Sequence, residues 1–395
     1  MEYRPLAQCI SSVIDHRGLT PKKLGGEWSS VIGYRAISAK NIKNGSLAQE
    51  DTMNFVDEGM YHRWMPEEVE RGDIFITSEA PFGEVLYWDS EEKIVLSQRI
   101  FGLRANRSIC DPKYLYYWMC SPQFQSELRG RATGTTVAGL RQPELLKCSV
   151  GVPSIGKQTA IAEVLGSIDD KIAINNQIND YLAEVLDVLF KQEVLESIDN
   201  TWSQVSLLDI ANYKNGLAMQ KFRPEGNDLG LPVLKIKELG QGRCAADAER
   251  CRSDIDESVR VYDGDLIFSW SGTLLLDFWA GGNAGLNQHL FKVTSEKFAP
   301  WFYYLWTNYH MRKFIALAKD RATTMGHIKR SALAESKVYI PSESRMNELR
   351  ELFDPLVKEV ISLKIESREL SELRDALLPK LMSGGIDVSE IEELG

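Results

Sequence analysis

The chain repeats itself. Asp263-Gly264-Asp265-Leu266-Ile267-Phe268-Ser269 echoes Arg71-Gly72-Asp73-Ile74-Phe75-Ile76-Thr77. Leu286 to Phe291 echoes Leu96 to Phe101, and Pro300 to Tyr304 echoes Pro112 to Tyr116. Ala322-Thr323 echoes Ala132-Thr133, and Ile340-Pro341-Ser342 echoes Val152-Pro153-Ser154. The offsets are 192, 190, 188, 190 and 188 residues, in unbroken order. A solenoid repeat is about 20–50 residues long, so this is a duplicated module rather than an array. A duplicated module predicts a ligand with two similar halves.

The second constraint is a pair of long amphipathic helices. Ile161, Leu165, Ile168 and Ile172 recur at helical spacing, and Leu182, Val185 and Leu189 resume the stripe. Pro153 and Ser154 precede this helix, expected over 157–197, as a stop and a candidate N-cap. Residues 344–382 repeat the design through Leu349, Phe353, Leu356, Val360, Leu363, Leu370, Leu373, Leu377 and Leu381. Asn175 and Asn179 interrupt the first stripe, as polar residues do where register must be fixed. A helix of about 40 residues spans ~60 Å and cannot bury its stripe inside one small domain. Its own copy is the expected partner, in a coiled coil. The connection from 196 to 202 is too short for a parallel return, so the pairing should be antiparallel.

The expected fold class is therefore α+β. Two globular domains are separated by two long helices in an antiparallel coiled coil, with a pseudo-two-fold relation. The boundaries are 1–152 for the first domain, 153–200 for the central helix, 201–340 for the second domain and 341–395 for the C-terminal helix. Within the domains, Val31–Ile42 and Leu231–Leu239 read as strands closed by the turns Asn44-Gly45 and Gly240-Gln241-Gly242. Ile74–Thr77 and Leu266–Ser269 read as further strands, and the aromatic runs at 114–118 and 301–306 as helix starts. Strands followed by helices, without regular alternation, fit this class.

Charge follows the same division. The net charge of −10 is carried by the two helical segments, at −6 each, while residues 1–152 and 201–340 carry −1 and +3. Each globular part can thus present a basic face. No apolar run approaches the roughly 18 residues that a membrane span needs, and the N-terminus has no secretion-signal pattern. The six cysteines form no C-x-x-C pair, so reduced thiols in a cytosol are the plain reading and no metal is expected.

Two enzyme leads are weak. Gly151 to Gln158 approaches a phosphate loop, but Gln158 stands where that motif requires Ser or Thr. A turn before a helix explains it better. Asp73 with Glu91-Glu92-Lys93 resembles the acidic pattern of metal-dependent nucleases, but the second module keeps only Asp265. No hydrolase, zinc-protease, dinucleotide or amino-methyltransferase motif is present.

The positive signal is for nucleic acid. Arg129, Arg131, Thr133, Thr135, Thr136 and Arg141 lie in a Gly/Thr-rich stretch. Arg321, Thr323, Thr324, His327, Lys329 and Arg330 form its counterpart in the second module. Cations, hydroxyls and flexible backbone suit phosphate contacts. Gln98-Arg99 and Gln288-His289 occupy equivalent positions and carry side chains able to read base edges. The Tyr and Trp runs, with Trp270, are read as core.

The layout resembles the specificity (S) subunit of type I restriction-modification systems. The residues that carry the resemblance are Val152-Pro153-Ser154-Ile155-Gly156-Lys157-Gln158-Thr159-Ala160-Ile161-Ala162, similar to the Pro-Pro-x-x-x-Gln-x-x-Ile pattern with which the family begins its central helix. Ile168-Asp169-Asp170-Lys171-Ile172, the two Gly-Asp strands, Leu231 to Ile236 and the Leu373–Leu381 ending also match, over essentially the whole chain. The start of the second helix, Pro341 to Met346, lacks the Gln and the Ile.

The resemblance implies a non-catalytic, cytoplasmic subunit acting in DNA methylation and phage defence. Each globular part would be a target-recognition domain reading one half of a split sequence in double-stranded DNA. The helices would set the spacing. Two methyltransferase (M) subunits would dock on the chain, and up to two restriction (R) subunits would join them. S-adenosylmethionine would sit on M, and ATP with magnesium on R, leaving this subunit without a cofactor. A second reading, a coiled-coil scaffold with duplicated protein-binding modules and no DNA recognition, stays open from the residues alone.

Overall fold

The computed structural model describes residues 1–134, 138–319 and 328–388. These fall into two compact units, Met1–Asp169 with Glu372–Gly395, and Asp170–Ser371. Each is built to the same plan. In the first, a four-stranded antiparallel sheet runs in the order Ile10–Ile14, Ile100–Ala105, Ile74–Thr77, Val85–Tyr87. In the second, the order is Asn212–Asn215, Leu290–Thr294, Leu266–Ser269, Leu276–Phe278.

The alternation of strand side chains explains why every residue of the two Gly-Asp strands is buried. Ile74 and Ile76 enter one core, against the helices, while Phe75 enters a second core on the opposite face. Leu266 and Phe268 repeat the first role and Ile267 the second. A strand covered on both faces reads as continuously apolar.

The Gly-Asp landmark is the turn that leads into each strand. Gly72 and Gly264 take φ of +98° and +89°, where a side chain would be strained. The Asp73 carboxylate then accepts the Glu70 amide at 2.9 Å, and that of Asp265 accepts the Tyr262 amide at 2.8 Å. A cation on the neighbouring strand completes each turn. Arg104 grips Asp73 with Nε and Nη2, both at 2.9 Å, and Lys292 lies 2.7 Å from Asp265. In the acid-x-Lys run, Glu92 pairs with Arg35 and Lys93 with Glu68 on the surface. Among the described residues no group of three or more His, Cys, Asp or Glu is placed to hold a metal ion.

The smaller sheets also correspond. Tyr34–Ile37 lies antiparallel to Asn54–Val56 and parallel to Val95–Leu96. Leu231–Leu234 lies antiparallel to Arg250–Cys251 and parallel to Ala284–Leu286. Both strands are shorter than the sequence suggested. After Ile37 the chain makes a helical turn over Ala39–Asn41, locked by the buried Asn41 amide, which accepts from Ser38 and donates to the Ala48 and Gln49 carbonyls. After Leu234 it forms a helix, Ile236–Gln241, because Ile236 and Leu239 share one helical face against the second core. Gly242, at φ +66°, ends that helix. Asn44 and Gly45, both at positive φ, form the expected hairpin turn.

Both aromatic runs are buried helices, Pro112–Cys120 and Pro300–Lys319. The first is broken at Ser121 because Pro122 cannot donate, and a new helix, Pro122–Gly130, starts there.

The long helices span Ile155–Leu189, widening into π-helical turns over Phe190–Leu195, and Glu343–Ser383. Their pairing is antiparallel within each unit. In the first, Lys157 meets Asp387 at 2.9 Å and Asp169 meets Arg374 at 2.7 Å. In the second, Glu366 takes Asn175 at 2.7 Å and Lys171 at 3.2 Å, and Glu193 takes Arg345 at 2.6 Å. Ile161, Leu165, Ile168, Phe353 and Leu363 are buried. Ile172, Leu182, Leu189, Leu356, Val360, Leu370 and Leu377 are half-buried. Two expected seam residues are not there: Val185 and Leu373 are exposed, and beside Val185 it is Leu186 that is buried. Each helix also packs on its globular core, which widens the apolar face beyond a two-position seam. Among the described residues no helix is long and apolar enough to cross a membrane.

Candidate nucleic-acid interface

The helix start that resembled a phosphate loop is a structural clip. Gln158 is fully buried. Its Oε1 accepts the Asp111 amide at 2.9 Å, and its Nε2 donates to the carbonyls of Ile109 and Pro153. It fastens the start of the central helix to the start of the Pro112 helix. Lys157 is engaged by Asp387.

Gln98 and Arg99 stand exposed just before the Ile100–Ala105 strand. Gln288 and His289 stand half-buried just before the Leu290–Thr294 strand. The backbone around them corresponds bond for bond. Ser78 N donates to Arg99 O at 2.8 Å, and Trp270 N to His289 O at 3.4 Å. The Gly/Thr-rich stretch then returns to the same place. Leu140 N donates to Ser78 O and Ile328 N to Trp270 O, each at 3.0 Å. Strand start, strand end and returning loop thus converge identically in each unit.

In the first unit this convergence is an open cleft. Gln98, Arg99, Thr133 and Arg141 line it, together with Arg17, Ser78 and Glu79, which the sequence reading missed. Arg17 is held bidentate by Asp15 at 2.8 and 2.9 Å, lies 3.7 Å over the Phe101 ring, and donates to the Leu140 carbonyl at 3.1 Å. Its local signal, an Asp two residues earlier, is too common to stand out in a sequence. Arg129 is exposed at the end of the Pro122–Gly130 helix and does not line the cleft. Arg131 is spent on Glu127 at 2.8 Å and Glu144 at 3.6 Å, and the Glu127 carboxylate raises its pKa above the usual guanidinium range. Thr135 and Thr136 lie outside the described residues.

In the second unit, His289 Nδ1 lies 3.0 Å from Ser271 Oγ, and its ring centroid lies 6.0 Å from that of Trp270. Lys329 and Arg330 are exposed at the start of a short helix, directly after Ile328. Arg321, Thr323, Thr324 and His327 lie outside the described residues.

Comparison with known proteins bears on this duplicated convergence. The pattern of the type I restriction modification DNA specificity domain matches residues 12–184. The MjaIX type I restriction enzyme specificity subunit of Methanocaldococcus jannaschii is 23% identical over 377 residues, covering 87% of this chain and 80% of the relative. The chain is thus similar to type I restriction enzyme specificity subunits over most of its length. The EcoBI specificity subunit of Escherichia coli is 25% identical over 174 residues, 43% of this chain and 35% of that one. The solved S subunit of the M. genitalium type I system superposes with a TM-score of 0.55 at 17% identity, covering 96% of this chain and 95% of that one. The two-module fold is therefore shared with that solved S subunit.

The central helix also carries an apolar stripe that periodicity did not separate. Ile174, Ile178, Tyr181, Val185 and Val188 are all exposed on it, at spacings of 4, 3, 4 and 3. The stripe is continuous, lies outside the buried seam, and includes the Val185 expected in that seam. The two apolar stripes overlap in periodicity, so sequence alone merges them.

Proposed function

We propose that the chain is the DNA-specificity subunit of a type I restriction-modification complex, reading a bipartite target in double-stranded DNA. Residues 1–152 and 201–340 act as recognition domains, and 153–200 and 341–395 as spacer helices. The observation that carries the reading is the duplicated convergence of Gln98-Arg99 and Gln288-His289 with a returning loop. It supports two readers of one design with different side chains. The Thr133–Arg141 and Lys329–Arg330 segments then approach phosphate and base edges.

The helices set the distance between half-sites, which on one face of a duplex recur every ~34 Å. Two methyltransferase subunits dock on the chain, with restriction subunits as further partners. The stripe from Ile174 to Val188 supports such docking, since a continuous exposed apolar patch marks an interaction surface. Its surroundings are acidic and unsuited to DNA. The subunit itself is non-catalytic and works in the cytoplasm. Much of the phosphate affinity comes from basic partner surfaces, because the recognition domains are near neutral.

Mapping methylated adenines in a host carrying this gene with its methyltransferase tests the reading. A split motif that disappears with the gene is the expected result. A continuous motif, or one indifferent to the gene, overturns it.

A further inference from the structure

Arg99 is exposed, yet its backbone sits at φ +68°, a region that residues other than glycine, asparagine and aspartate seldom occupy. Such a conformation persists where the surroundings hold a side chain in a required direction. Arg99 is held on two sides. Its carbonyl accepts the Ser78 amide, and its Nε lies 3.0 Å from Glu79 Oε1. Glu79 in turn borders Gly139 of the returning loop, where an added Cβ would come within 3.6 Å of Oε2.

The second unit places a pair at the same two positions. Ser271 corresponds to Glu79 and His289 to Arg99, and their polar atoms are likewise 3.0 Å apart. The positions are therefore built to pair, and the chemistry of the pair differs between the modules.

We propose that Glu79 and Arg99 together read the major-groove edge of one G·C base pair in the half-site of the first module. The inference rests on the DNA-reading function proposed above. Guanine presents two acceptors, N7 and O6, and the cytosine beside it presents the N4 amine as a donor. With Nε turned to Glu79, the forked Nη groups of Arg99 are the donors for guanine, and Glu79 Oε2 is the acceptor for the cytosine amine. Two donors followed by one acceptor match guanine N7 and O6 and then the cytosine amine, an order that no other base pair presents in the major groove. The carboxylate also argues against a phosphate contact, since it would repel a phosphate approaching the same guanidinium. The Ser271–His289 pair lacks the carboxylate and the fork, so the second half-site should not depend on a base pair read in this way.

The test is a target-preference measurement with the complex assembled from this subunit and its methyltransferase. The substrate is a pool of duplexes randomised one position at a time across both half-sites. Wild type, Glu79→Gln and Arg99→Gln are compared, with thermal unfolding of each. Both side chains are substantially exposed, at 37% and 50%, so the variants should fold as wild type does. Discrimination should drop roughly 10- to 100-fold at a single G·C position, the same one in both variants, with the other half-site unchanged. Uniformly weaker methylation at every sequence, or unchanged preference in both variants, overturns the base-reading role. A wild-type complex showing no bipartite preference would instead overturn the DNA-reading function itself, which separates the two failures.

Discussion

Single residues in this chain fill structural roles that their chemistry could mistake for catalysis. Asp73 is a buried carboxylate, but its oxygens are filled by Arg104 and a backbone amide. Gln158 spends both ends of its amide on three backbone groups. His310 is similar: its Nε2 donates to the Lys337 carbonyl at 2.8 Å, and it lies between the rings of Trp306 and Phe314. Burial pushes its pKa below the ordinary 6.5. A histidine kept neutral when folded binds its proton more readily when unfolded. Its contribution to stability is thus complete above about pH 6.5 and is lost as pH falls through the lower folded value. The second unit should unfold at lower denaturant at pH 5.5 than at pH 7.5, and His310→Asn should flatten that dependence. An equal slope in the variant would assign the acid sensitivity to other groups.

At the scale of elements, the central helix carries two apolar stripes, one buried and one open. The inner one follows Leu182, Leu186 and Phe190 into the second unit's core, and the outer one runs from Ile174 to Val188. Adjacent positions therefore respond oppositely to substitution. Leu186→Ala removes a buried side chain and should cost about 2–4 kcal/mol in urea unfolding. Val185→Ala should stay within about 0.5 kcal/mol, as exposed positions do. Comparable losses would mean that both stripes are buried. The polar interruption also has a defined role: Asn175 and Lys171 converge on Glu366, which fixes the antiparallel register at that level. At the start of the second long helix, where Met346 replaces the glutamine clip, Arg345 reaches the Glu193 side chain and carbonyl instead. The two helix starts are thus fastened by different chemistry at the point where the repeat is weakest.

For the whole molecule, the chain order and the units do not coincide. Leu378, Leu381, Met382 and Val388, from the end of the chain, complete the core formed by the first 169 residues. A truncation after Ser371 should destabilise the first unit by at least about 5 kcal/mol, the burial of four apolar side chains. Hydrogen exchange would read this as lost protection around Trp118 with protection retained around Trp301. Equal loss in both would contradict the assignment of the terminal segment. The duplication, the Gly-Asp strands, the aromatic helices and the antiparallel pairing were legible in the sequence, because each rests on local spacing or on a short connection. So was the position of Gln98-Arg99 and Gln288-His289, since the repeat aligned them. Arg17, Glu79 and Ser271 were not legible, for they join the two convergences only through strand pairing and a returning loop. The split between buried seam and outer stripe was hidden for a related reason: helical periodicity reports that a face is apolar, not what covers it. By itself the sequence determined the repeated plan, because periodicity and turn chemistry act over a few residues. The tertiary structure alone decided which charges neutralise one another and which apolar face stays open, because those depend on residues brought together from distant parts of the chain.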